Sequence, residues 1–102
     1  MKRTGQTIIA VAIAAFIPNA FSEQDIQARS WAATCTGCHG TNGNSESGIP
    51  GIAGMEKARI VGLMLEFKSG KRPATVMHQH AKGYTDEQIE RIAAFFADQK
   101  RR

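Results

Sequence analysis

The only two cysteines of this chain lie in Cys35-Thr36-Gly37-Cys38-His39, three positions apart, with a histidine directly after the second. C-x-x-C-H is the pattern of covalent haem attachment. Residues i and i+3 share one face of a helical turn. Two thiols placed so can add across the two vinyl groups of one porphyrin, and His39 is then carried under the iron as proximal ligand. Three other uses account for less of the sequence. A thioredoxin-like pair follows a strand in a βαβ unit, and nothing upstream of Cys35 reads as such a strand. A zinc site takes four ligands, usually as two pairs, which leaves only His78 and His80 to complete it. A disulfide across two residues is strained and gives His39 no part.

The start of the chain reads as an export signal. Met1, Lys2 and Arg3 precede an unbroken apolar run from Ile8 to Ile17, which Pro18 and Asn19 end. Ala20-Phe21-Ser22 then places small residues at the −3 and −1 positions of a cleavage site. Ten apolar residues are too few for a membrane span, which takes about 20. Residues 1–22 are therefore expected to be a cleaved secretory signal, and residues 23–102 the mature domain. Export agrees with the haem reading, because thioether attachment takes place outside the cytoplasm.

A mature chain of this length is one small domain. It buries only about 60–65% of its unfolded surface and needs a staple. With both cysteines committed, a haem is expected to be structural as well as functional. Loss of Lys2 and Arg3 lowers the cations from 13 to 11 against 9 acids, a net charge of +2. Lys57, Arg59, Lys68, Lys71, Arg72 and Lys82 could form a docking face or an ordinary solvated surface. No aromatic residues interleave with them, so nucleic acid is not an expected partner.

The pattern predicts an all-α domain of three main helices. Glu23 to Ala33 reads as the first, running into the haem motif. Gly40 to Gly54 holds five glycines with Asn42, Asn44, Ser45, Ser47 and Pro50, a loop composition. An ordered loop against a haem face is expected here, since glycine lets backbone approach a flat ligand closely. Met55 to Lys68 reads as the second helix, with Ile60, Leu63, Met64 and Phe67 on one stripe and Gly70 as its stop. Thr85 to Gln99 reads as the third, opened by a Thr85/Gln88 capping box with Asp86 and Glu87 in its first turn. A short turn is expected near Pro73–His80.

The sixth iron ligand separates an electron carrier from a haem that binds gas or substrate. Met77 is the candidate, in a turn-rich segment from which a side chain can cross the haem face opposite His39. Met64 lies on the apolar stripe and reads as core filler; Met55 opens a helix. His78 and His80 are rivals, because imidazole ligates iron well.

Taken in order, Cys35–Gly40, Ile49–Gly54, Phe67–Gly70 with Arg72, Met77 with Ala81, and Thr85–Ile89 resemble a small bacterial class I cytochrome c across nearly all of the mature chain. Arg72–Met77 with Ala81–Asp86 is most similar to the cytochrome subunit of flavocytochrome c sulfide dehydrogenases. The resemblance implies a class I cytochrome c fold around one haem c. It implies Cys35 and Cys38 as thioether links, His39 as proximal and Met77 as distal ligand. It also suggests that the Pro50 carbonyl accepts the other ring N–H of His39, which would orient the imidazole and tune its basicity. Two positions depart from the family: Arg59 stands where a tyrosine is frequent, and Met55 where a glutamine is. Arg59 reads either as a partner for a haem propionate or as a surface residue.

With both axial positions filled, such a site does no bond chemistry and is not itself catalytic. It cycles between ferric and ferrous iron, and methionine ligation raises the potential. The expectation is a periplasmic electron-transfer protein serving a flavoprotein sulfide dehydrogenase subunit. One alternative is a free carrier for a terminal oxidase or reductase. Another is a haem sensor or peroxidase-like protein with an exchangeable distal ligand.

Overall fold

The computed structural model describes residues 4–12 and 25–102. The expected cleavage site at Ala20–Ser22 and part of the apolar run before it lie outside the described residues. Residues 4–12 have no regular secondary structure. No helix among the described residues is long and apolar enough to cross a membrane.

The described residues form four α-helices and one 3-10 turn, with no strand: α1 Ile26–His39, the turn Thr41–Gly43, α2 Lys57–Ser69, α3 Met77–Lys82 and α4 Asp86–Ala97. The architecture is all-α, as the resemblance to class I cytochromes c implies. One helix more than the pattern predicts is present. Six residues are too few to show an apolar period, and Met77-His78-Gln79-His80-Ala81-Lys82 shows none, so α3 reads from sequence as a turn. The first helix also begins later and runs further than its composition suggests, through the whole haem motif.

Local chemistry sets the helix ends. Asp25 caps α1 by accepting from Ala28 N at 3.0 Å. Thr85 Oγ1 accepts from Gln88 N at 3.1 Å while Thr85 N donates to Gln88 Oε1 at 2.9 Å, a reciprocal capping box at the start of α4. Acidic Asp86 and Glu87 follow in its first turn, where the helix dipole favours them. α2 stops at Gly70, which adopts φ +81 and donates back to Glu66 and Phe67 carbonyls.

α4 packs against both α1 and α2, and α3 packs on α2. The stripe Ile89, Ile92, Ala93 and Phe96 of α4 is entirely buried, joined by Ile60 of α2. On the α1 side the buried residues are Ala28 and Ala32. Small side chains there bring α1 close to Ala93 in the shared core cluster. Outside the core, Arg91 fixes the same helix pair. Its Nε and NH2 groups donate to the two Asp25 carboxylate oxygens, each at 2.7 Å. The guanidinium also lies 4.7 Å from the centroid of the Trp31 ring, in cation–π range. Lys57–Glu90 and Lys68–Asp86 link α2 to α4 at the surface, where such pairs contribute about 0–1 kcal/mol each.

Candidate haem site

α1 delivers three of the expected site residues in its last turn. Cys35 and Cys38 are both free thiols, Cys35 half-buried and Cys38 exposed. Burial pushes the Cys35 thiol up from its ordinary pKa, and the Thr34 hydroxyl beside it, 4.0 Å from the sulfur, opposes that shift. His39 ends the helix. The chain can turn sharply there because Gly40 adopts φ +87, and a side chain at Gly40 would run into the Asn44 carbonyl.

The turn sends the loop of residues 40–56 back past the helix end. Gly43, buried at φ +83, is its pivot. The Gly43 carbonyl accepts from Ile52 N at 2.8 Å and Ala53 N at 3.1 Å. Asn44 fastens the loop to the far end of the chain, donating to the Lys100 carbonyl at 2.9 Å and accepting from Arg102 N at 2.8 Å. Held in this way, the loop places the Pro50 carbonyl oxygen 2.7 Å from His39 Nδ1. A carbonyl only accepts, so Nδ1 carries the proton. In the neutral ring Nε2 then keeps its lone pair and is the ring's available metal-binding atom.

Met77 lies elsewhere, half-buried as the first residue of α3. Met55 and Met64 pack against the core cluster, whereas Met77 is not among the residues that do. His78 is half-buried with Nδ1 enclosed and unpartnered, and His80 is exposed. Arg59 is exposed on α2 and forms no ion pair among the described residues. The structure thus brings Cys35, Cys38, His39 and Pro50 together, carries Met77 on a separate helix, and leaves Arg59 on the surface. Sequence reading missed Gly43 and Asn44 as the residues that hold the loop. It also missed Tyr84, whose hydroxyl reaches Thr34 on α1 at 2.8 Å. The glycine content of the loop was a signal for Gly43; the Tyr84 contact, across 50 residues, leaves none.

Residues 24–100 match the sequence model of cytochrome c. This chain belongs to the cytochrome c family. It is 51% identical over 65 residues to the cytochrome subunit of sulfide dehydrogenase from Chlorobaculum tepidum, an alignment covering 64% of this chain and 59% of the relative. It is 37% identical over 70 residues to cytochrome c4 of Pseudomonas aeruginosa, covering 68% of this chain and 35% of the relative. Cytochrome c-554(548) of Halomonas halodenitrificans is 32% identical over 71 residues, covering 66% of this chain and 86% of that protein. The chain therefore spans 59% and 35% of the length of the first two relatives. As a cytochrome c, it carries covalently bound haem c with iron and functions in electron transfer.

The residues present fit that group. The two free thiols share the last turn of one helix, and the adjacent imidazole offers Nε2. The polypeptide core fits it as well. Among the described residues, five of the nine buried apolar residues are alanines, and the larger buried side chains are Ile60, Ile89, Ile92 and Phe96. Around them Trp31, Cys35, Ile52, Met55, Met64 and Tyr84 are only partly buried. This is an apolar wall suited to a flat hydrophobic partner.

Proposed function

We propose that this cytochrome is an exported, periplasmic electron carrier whose iron is held by His39 and Met77, and that it accepts electrons from a flavoprotein subunit that oxidises sulfide. The hydrogen bond between His39 Nδ1 and the Pro50 carbonyl carries the reading. It fixes ring orientation and tautomer, as a proximal histidine requires, and makes Nε2 the more basic. Haem c supplies the reversible one-electron couple. The chain's own residues tether it through Cys35 and Cys38, orient His39 and line its faces with apolar side chains. Met77 is favoured as distal ligand because Met55 and Met64 are engaged in the core. A thioether in that position favours ferrous iron and raises the potential. Arg59, exposed on α2, is available to a haem propionate. The name of the Chlorobaculum tepidum relative, the cytochrome subunit of sulfide dehydrogenase, supports the choice of donor.

The test is an optical spectrum of the ferric protein, wild type and Met77→Ala. The expected result is a long-wavelength sulfur-to-iron band that is lost in the variant. A wild-type protein without that band, or one whose reduced form binds carbon monoxide readily at neutral pH, would exclude Met77 ligation. Co-purification with a flavoprotein supports the subunit role, whereas purification as a lone monomer favours a free carrier.

A further inference from the structure

The two helices that carry the proposed iron ligands, α1 and α3, make little direct contact. Among the described residues, one side-chain hydrogen bond links α1 to the corner between α3 and α4. Tyr84 Oη lies 2.8 Å from Thr34 Oγ1. Thr34 Oγ1 also lies 2.9 Å from the Trp31 carbonyl, which can only accept. The one hydroxyl proton of Thr34 is thereby committed to Trp31, so Tyr84 is the donor and the bond has a fixed direction.

Both ends are rigidly placed. Tyr84 N donates to the Ala81 carbonyl at 3.3 Å and Gly83 N to the His80 carbonyl at 3.1 Å, which ties the corner to α3. The Tyr84 ring packs against the core cluster, and the next residue is the α4 cap. Thr34 in turn precedes Cys35 within α1. A continuous path of covalent and hydrogen bonds therefore runs from Met77 through α3 and Tyr84 to the helix that ends in Cys38 and His39.

We propose that Tyr84 and Thr34 form a positioning pair: their hydrogen bond sets the separation between the α1 haem motif and α3, and so sets how firmly Met77 holds the iron. The proposal rests on the His39/Met77 reading above. Tyr84 acts through Met77, without itself being a ligand. The net contribution of one such bond corresponds to roughly a fivefold change in an equilibrium constant.

The experiment titrates ferric holoprotein with imidazole, following loss of the sulfur-to-iron band, for wild type, Tyr84→Phe, Thr34→Val and Thr34→Ser. Tyr84→Phe and Thr34→Val are expected to bind imidazole about fivefold more tightly. Thr34→Ser, which keeps the hydroxyl, should match wild type, and the double variant should bind no more tightly than either single one. Unchanged imidazole affinity in Tyr84→Phe and Thr34→Val, even with lowered melting temperatures, would make the bond purely structural and overturn the proposal. A wild-type protein lacking the band altogether would remove Met77 ligation itself and the proposal with it, a different failure seen before any variant is made.

Discussion

The α1–α4 helix pair and the loop of residues 40–56 rest on the same side chain, Phe96, but are held by different means. The helices meet through side chains: Ala32, Ala93 and Phe96 in the core, and Arg91 against Asp25 and Trp31 at the rim. The loop is held mainly through its backbone. Gly43 gathers two amide protons on one carbonyl, and Gly54 N donates to the Phe96 carbonyl at 2.9 Å. A side-chain contact can be trimmed by degrees, because neighbours relax around what is lost. A backbone contact at van der Waals distance has no such latitude. The region that orients His39 is therefore the less tolerant of the two.

The largest test of that difference is Gly43→Ala. An added Cβ would come within 2.9 Å of Ala53 N, Ile52 Cγ1 and Phe96 Cδ1, in a backbone conformation that already disfavours side chains. Strain and overpacking together should cost about 3 kcal/mol, read as a drop in thermal midpoint of the holoprotein. A variant that melts within a few degrees of wild type would break the comparison. Gly62→Ala should do the opposite. Gly62 lies within α2 with nothing close to its missing Cβ, so alanine should add about 0.5–1 kcal/mol through helix propensity.

The smallest effect is expected at the rim of the helix pair and depends on pH. Arg91, with the Ala28 amide, holds the Asp25 carboxyl at a pKa of about 2, down from 3.8. Its folded pKa is depressed, so the unfolded chain takes up the proton first as pH falls. The contribution is fully present above about pH 4 and is lost on the way down through about pH 2. Both groups are solvent-accessible, so the change is small. It should appear as a shallow fall in melting temperature over that window that Asp25→Asn flattens. An equal slope in the variant would assign the acid sensitivity to other carboxylates.

Much of the helix pair was legible in sequence because its signals are local or periodic. The Thr85/Gln88 box and the Ile89, Ile92, Ala93 and Phe96 stripe stand in the structure where the spacing puts them. Gly70 stops α2 at the expected place. The C-x-x-C-H motif could be read because its chemistry is confined to five residues. What escaped has no period and no short range. α3 is too short to show a stripe. Arg91 reads as one more surface cation until Trp31 and Asp25 are brought beneath it. The loop was recognisable as a loop from its glycines, but which carbonyl would collect the amide protons depends on the path of the closed chain. Tyr84 finds Thr34 only after three helices have packed.

One bond pattern described above bears on the order of events during maturation. Asp25, the cap of the cysteine-bearing helix, draws its guanidinium partner from a position 66 residues later. On the export route proposed above, the polypeptide is threaded outward amino end first, and α1 then stands without that anchor until almost the whole domain has emerged. The thiols at its other end then belong to a half-secured segment, open to whatever machinery joins them to porphyrin. The closing helix arrives late and locks the product.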